Sequence, residues 1–560
     1  MTVIDAGHLD EDDLDEDSAA EHIHGICLKT GPPRRFGVEL EWLVRDARDP
    51  SLPVAAERIA DAVSAFDAAR ADRARIDKDR IDKDSAGSGG AGRDGGGSGD
   101  ASRDGGGSGG ANGDGNGSQR KAGGSRAGRG RADGDRGDPG GNGDRSAGDG
   151  GRGAGPALPT SSRPGVLPSG APLTTEPGGQ LELSSQPADS LPDLIRATTA
   201  DAAALRAVMA ARGLELAGIG LDPLRPPRRV LQLPRYAAME AFFDRGGPWG
   251  RQMMCSTASV QVCLDAGDDS DGPAGYRYRW QLVHAVGPVL VAAFANSPLR
   301  GGKPTGWVSS RQQVWARMDP GRTRPPHLAE DPRGAWARYA LDAELMCVRD
   351  PDSADWSAPP RLTFRDWVRG AAVVPCEGPM RRPTAADLEY HLSTLFPPVR
   401  PRGHLELRMI DAQPGDGWIV PLAVSSALLS DARASEAALA AVAPLWDGHP
   451  PGAGTAGNSA AGNSAAGNWA AGNWAAGDWP ARDGAGRDVT AGDGPWLRAA
   501  RLGPADPAIS RASSACFAAA REALDRMAVP AEITAAVDAF HATYVSRDRC
   551  PADDLLEEAR

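Results

Sequence analysis

Four segments alternate apolar and polar residues with the period of a β-strand: Val38-Glu39-Leu40-Glu41-Trp42-Leu43, Leu181-Glu182-Leu183, Ser259-Val260-Gln261-Val262 and Leu405-Glu406-Leu407-Arg408. Successive side chains of a strand point to opposite faces, so Glu39 and Glu41 share one face and Val38, Leu40 and Trp42 the other. By the same alternation His404, Glu406 and Arg408 lie on one side of the last segment. The pattern predicts strands over Arg35–Arg45, Gln180–Ser184, Leu214–Gly220, Met253–Leu264 and Gly403–Ile410. Helical spacing predicts helices from Pro53 to about Asp72 and over Ser190–Arg212, Pro234–Phe243, Trp280–Phe294, Leu362–Val368, Ala385–Leu395, Asp416–Leu429 and Ala434–Leu445, and over most of Leu497–Val545. Pro53 suits a first helical turn, and Gly213 a helix end. Strands separated by helix pairs, with acids on one strand face, indicate an α+β fold.

Two low-complexity stretches interrupt this pattern. Residues 85–155 are almost entirely Gly, Asp, Ser, Arg, Ala and Asn, and residues 452–494 contain a five-residue repeat, Ala-Gly-Asn-Ser-Ala then Ala-Gly-Asn-Trp-Ala. Neither offers enough apolar surface to offset its ordering entropy, and a period of five fits neither helix nor strand. They are expected to be a disordered insertion and a linker within one catalytic domain assembled from residues 22–84, 156–451 and 495–560. Residues 1–21, with an acidic run from Asp10 to Asp17, read as a disordered, solvated tail.

The formal net charge of −13 argues against a general nucleic-acid binder. The seven cysteines show no zinc or Cys-x-x-Cys spacing, which suits reduced thiols in a cytoplasmic protein. No basic-then-apolar leader opens the sequence, and the longest apolar run, Pro288 to Ala295, is too short to span a bilayer, so no membrane association is expected.

Stripping water from a carboxylate is costly, so several acids converging on the inner side of a sheet call for cations. Oxygen-rich sites suit magnesium, which commonly also holds substrate phosphates. Glu39, Glu41, Glu182 and Glu406, with Glu176 just upstream of Glu182, are therefore candidate metal ligands, and Gln261 adds a neutral oxygen. A single strand Glu is ordinarily a solvated surface residue; three strands carrying such acids favour a shared site. Arg408 can bridge a transferring phosphoryl group or simply pair with Glu406. His404 with Glu406 forms a possible chelating pair, weaker than the acid set. Gly301-Gly302-Lys303-Pro304-Thr305 lacks the glycine spacing of a phosphate-binding loop and is rejected. Neither a Gly-x-Ser-x-Gly elbow nor a His-Glu-x-x-His motif occurs.

Taken in order, Gly37-Val38-Glu39-Leu40-Glu41, Thr174 through Ser184, Met253 through Val262 and Gly403 through Arg408 resemble the glutamate–cysteine ligase family, nearest its actinobacterial ergothioneine-pathway branch. Phe294 through Pro298, Trp307 through Arg311, Trp315 through Arg322, Asp411 through Pro414 and Arg549 through Asp554 extend the match. The resemblance implies a glutamine-synthetase-like domain, a curved antiparallel sheet forming an open funnel flanked by helices. It also implies ATP-dependent formation of γ-L-glutamyl-L-cysteine from L-glutamate and L-cysteine through a γ-glutamyl phosphate. Glu39, Glu41, Glu176, Glu182 and Glu406 would hold Mg2+, with Gln261 where some relatives carry a metal-binding His. Arg408 would stabilise phosphate charge, Arg311 would hold the glutamate carboxylate, and Arg235 with Tyr236 would lie near the substrates. Two alternatives stay open: ligation of glutamate to a different amine, or a non-catalytic nucleotide-binding relative. Oligomeric state is not legible.

Overall fold

The computed structural model describes residues 14–64, 165–326, 328, 331–350, 352–370, 380–446 and 494–560. The predicted 85–155 insertion, and the 452–494 segment except its last residue, lie outside these. So do residues 65–72 of the helix predicted from Pro53.

In chain order the elements are α1 (Glu16–Cys27), β1 (Phe36–Asp46), α2 (residues 56–64), β2 (Gly165–Val166), β3 (Pro172–Thr175), β4 (Leu181–Ser184), α3 (Leu191–Ala210) and β5 (Leu214–Ala217). Then come α4 (Pro234–Asp244), α5 (Trp249–Ser256), β6 (Ser259–Leu264), α6 (Tyr276–Ala293), β7 (Leu299–Arg300), β8 (Lys303–Pro304), α7 (Ser310–Arg317) and α8 (Pro320–Thr323). The remainder are α9 (Pro332–Asp342), α10 (Phe364–Val368), α11 (Ala385–Leu392), β9 (Val399–Pro401), β10 (Leu405–Asp411), α12 (Ile419–Ser430), α13 (Ala432–Trp446), α14 (Pro495–Leu502), α15 (Pro507–Arg526), α16 (Ala531–Thr543) and α17 (Pro551–Glu558).

An open antiparallel sheet runs in the order β2-β3-β4-β1-β6-β10-β9, and β5 pairs with the far end of β1. The mixture of helices with this antiparallel sheet is the α+β class expected. One sheet face is apolar: Val38, Leu40, Trp42, Leu181, Leu183, Val260, Val262, Leu405 and Leu407 are all buried. They enter the main core with α6 and α12, which pack beneath β10 and β6. Helix α6 is buried nearly all round, as the unbroken apolar run from Ala285 to Ala293 demands of its second half. The Gly301-Gly302 pair forms the tight β7–β8 turn, with φ of 56° and 72°.

Two expectations are corrected. The acidic run is not wholly a tail: Asp15 caps α1, its Oδ1 accepting the Ser18 backbone N–H at 2.7 Å while Ser18 Oγ accepts the Asp15 N–H at 3.0 Å. Ala19, Ile23 and Cys27 fall at i, i+4 and i+8 and bury a stripe against α9, α10 and α11. Glu16 pairs with Arg365 and Arg369. The strand predicted over Met253–Leu264 begins only at Ser259. Met253, Met254 and Cys255 belong to α5, which ends where Thr257 Oγ1 donates to the Met253 carbonyl at 2.6 Å.

Candidate active site

The register of the sheet gathers the polar positions on its second face. Glu39 lies opposite Gln261 on β6 and Ser184 on β4, Glu41 lies opposite Glu182, and Glu406 lies opposite Cys263 and, on the other side, Arg400. Between Leu407 and Ile410 the register slips by one residue relative to Val262 and Val260, a β-bulge at Arg408. Bulges re-aim side chains, and here Met409 and Ile410 both enter the apolar core, while Arg408, on the face of Glu406 by alternation, donates to both Gln261 Oε1 and Glu406 Oε1.

Glu176 reaches the same face from the β3–β4 hairpin. Its backbone N–H donates to the Gln180 carbonyl and Gly179 N–H donates to its own carbonyl, both at 2.8 Å. The turn uses Gly179 at φ +88°. It also needs Gly178, where a Cβ would lie 2.3 Å from the Cys255 carbonyl oxygen. The hairpin tip is thereby pressed against the end of α5.

The contacts divide the face in two. Glu406 is buried and clamped: Arg400 Nε and Nη2 donate to its two oxygens at 2.8 and 2.9 Å, and Arg408 adds a further bond. Burial opposes its charge, but Arg400 and then Arg408 outweigh it and hold this carboxyl well below the ordinary range. Gln261 passes the network on, its Nε2 donating to Glu41 Oε1 at 2.9 Å, while Ser259 Oγ donates to Glu41 Oε2 at 2.9 Å. Glu39, Glu176 and Glu182 are short of cations. Burial and then Glu182 and Glu406 push Glu39 well up; burial and then Glu41 raise Glu176 to about 7; burial and then Glu176 and Glu41 raise Glu182 to about 8. Three mutually repelling carboxylates on one face, with oxygen donors around them, suit a hard divalent cation. Among the described residues no three His, Cys, Asp or Glu side chains are drawn into a ligating cluster.

The remaining predicted residues border the face. Arg235 and Tyr236 begin α4 beside Glu176: Arg235 donates to Ser393 Oγ and O at 3.1 and 3.2 Å and lies 4.9 Å over the Tyr390 ring. Tyr236 is raised by burial and then by Glu176. Arg311, on α7, is buried beside Glu41 and Asp411, stacked 4.6 Å over Trp315, with Nε and Nη1 making no hydrogen bond, Nη1 3.9 Å from Asp411 Oδ1, and Nη2 donating to the Arg408 carbonyl. Near the Glu39 end a cavity of about 210 Å³ is lined by Glu39, Cys263, His404, Arg35 and Ser185 among others. His404 is pushed below its usual range by burial, which favours the neutral ring.

Arg400 is one omission from the residues singled out in the sequence. Its signal is symmetry: Arg400 and Glu406 stand three residues either side of Gly403, whose φ of +75° turns the β9–β10 hairpin. Asp411 is a second. It accepts from Ser297 Oγ at 2.7 Å and Ser309 Oγ at 3.0 Å beneath Arg311.

Comparison with known proteins identifies the family. Residues 162–479 match the model of glutamate–cysteine ligase family 2. The chain belongs to that family. It is 46% identical over 291 residues to glutamate–cysteine ligase EgtA of Mycolicibacterium smegmatis, a match spanning 50% of this chain and 66% of that protein. It is 39% identical over 396 residues to glutamate–cysteine ligase EgtA of Mycobacterium tuberculosis, spanning 70% and 78%. A chloroplastic glutamate–cysteine ligase of Medicago truncatula is 34% identical over 248 residues, spanning 43% and 47%. Within this ligase family member, the six described cysteines are free thiols. No helix among the described residues is long and apolar enough to cross a membrane.

Proposed function

We propose that this chain joins L-glutamate to L-cysteine at the expense of ATP, forming γ-L-glutamyl-L-cysteine, and that the product feeds ergothioneine synthesis. The observation that carries the reading is the gathering of Glu39, Glu41, Glu182, Gln261, Glu406 and Arg408 from four adjacent strands onto one sheet face, in a member of this family. We take the fold as the glutamine-synthetase type, its sheet curving into an open funnel around that face.

Glutamate's γ-carboxylate is a poor electrophile, so the γ-phosphoryl group of ATP first passes to it. The cysteine amine then attacks the acyl phosphate carbon; the C–O bond breaks, phosphate leaves and an amide forms. No covalent enzyme intermediate is needed, consistent with cysteines held protonated by burial, Cys263 among them. Glu39, Glu41, Glu176 and Glu182 would hold Mg2+. Glu406 and Gln261 would contribute through lone pairs that Arg400 and Arg408 leave unused, since a carboxylate presents about four acceptor sites and an amide oxygen two. Bound Mg2+ would offset phosphate charge and so permit the triphosphate to approach these acids.

Arg408, held between Gln261 and Glu406, is set to neutralise the phosphoryl group as it moves. The cavity beside Glu39, with Arg35 at its rim, accommodates nucleotide phosphates. Arg311, whose buried Nε and Nη1 make no hydrogen bond, suits the carboxylate of glutamate. Arg235 and Tyr236 bound the substrates beside Glu176. Neither nucleic acid nor membrane enters the reaction, which we place in the cytoplasm.

Mass spectrometry of the product formed from glutamate, cysteine and Mg·ATP tests the reading, with a panel of other amines in parallel. A γ-glutamylcysteine product supports it. Preference for a different amine redirects the acceptor assignment, and no turnover with any amine refutes a catalytic role.

A further inference from the structure

A continuous polar chain crosses the catalytic face from its β9 edge inward. Arg400 binds Glu406, Glu406 binds Arg408, Arg408 binds Gln261, and Gln261 binds Glu41. Each link is a hydrogen bond made by a charged group, and such bonds are shorter and stronger than neutral ones. Arg400 is the terminal member. Its Nε and Nη2 grip both oxygens of Glu406, and its Nη1 donates to the Leu395 carbonyl at 3.3 Å. Arg400 is 8% exposed and Glu406 1%, so water competes little for either.

The guanidinium fork fixes the plane of the Glu406 carboxylate, which a point charge does not. It also divides the claim on Arg408. With Arg400 in place Glu406 has a second cation, and Arg408 remains shared with Gln261. Without it the full charge of Glu406 would fall to Arg408 alone and draw it off the face.

Resting on the ligase reading above, we propose that Arg400 is a positioning residue: it clamps Glu406 so that Arg408 stays aimed at the transferring phosphoryl group. Arg400 touches neither substrate nor reacting atoms in this scheme. It acts through Glu406 and by keeping one positive charge behind the acids.

The role predicts opposite shifts for a cation and an anion, which general loss of structure does not produce. Full-length wild type, Arg400→Met and Arg400→Lys are compared by calorimetric Kd for Mn2+ alone, by Kd for Mg·ADP, and by kcat. Removing one positive charge with Met tightens Mn2+ severalfold and weakens Mg·ADP about tenfold. The loss of aim lowers kcat about 100-fold. Lys returns the charge without the fork, so both affinities recover to about wild type while kcat stays at least about tenfold low. Affinities unmoved in Arg400→Met overturn the proposal, as do affinities that weaken together with a fall in melting temperature. A wild type that binds neither probe also overturns it. A wild type that binds both but makes no γ-glutamylcysteine refutes the ligase reading, and the binding arms still decide the role of Arg400.

Discussion

Gly178→Ala tests how closely the position of Glu176 is tied to turnover. The added methyl would lie 2.3 Å from the Cys255 carbonyl oxygen and 2.4 Å from its Cα, both backbone atoms that cannot swing aside. Regaining ordinary contact moves the hairpin tip back by about 1 Å, and overpacking of this kind typically costs about 1–3 kcal/mol. A fall in melting temperature of a few degrees is expected. The larger effect is on chemistry: Glu176 sits two residues from the collision, and a displacement of about 1 Å can cost about 100-fold in rate. Steady-state kinetics beside a thermal melt read both, with kcat falling about 100-fold in a protein that remains folded. A Gly178→Ala variant within about threefold of wild-type kcat would show that the placement of Glu176 against α5 does not matter, and would remove this hairpin from the site.

Glu39→Gln keeps the shape of the side chain but removes a carboxylate that burial, and then its acidic neighbours, push toward its neutral form. Turnover should be abolished while the metal-free protein melts at the same or a higher temperature; a marked fall in melting temperature would contradict this placing of the repulsion. Glu176 and Glu182 titrate near 7 and 8, above the ordinary carboxylate range, so the folded state holds protons that the unfolded chain has released. Metal-free protein should therefore lose stability as pH rises from about 5 through 8, and Mg2+ should relieve the loss; melts that are flat with pH would refute the shifts. Ile23→Ala in the N-terminal helix should cost about 2–4 kcal/mol by denaturant titration, because Ile23 is fully buried; a loss below about 0.5 kcal/mol would return α1 to the status of a tail. Deleting residues 85–155 should leave kcat unchanged, since loop length costs stability slowly; loss of folding would make the insertion structural.

Strand alternation made most of the catalytic face legible. Glu39 and Glu41 on one strand require one polar side, and pairing places Glu182, Gln261 and Glu406 on that side whatever the long-range order. What alternation could not supply was the cationic partner of Glu406. Arg400 lies on a three-residue strand among prolines, too short to show a period, and this chain is so rich in arginine that one more did not stand out. Met253-Met254-Cys255 failed for a different reason: a short apolar run fits a buried helix turn as well as a strand. Of the acids that suggested a tail, Glu16 and Asp17 lie in the first turn of α1, where the helix dipole favours them, and the apolar stripe begins only at Ala19. Arg311 was singled out by resemblance alone, since nothing in its local pattern sets a buried guanidinium beneath Glu41.

The central claim is that this face transfers a phosphoryl group to the glutamate side chain before the amide forms. Glutamate carrying oxygen-18 in its γ-carboxylate, incubated with cysteine and Mg·ATP, tests this directly. The account predicts one oxygen-18 atom in each inorganic phosphate released, carried over when the amine displaces the acyl phosphate. Unlabelled phosphate alongside γ-glutamylcysteine would contradict it.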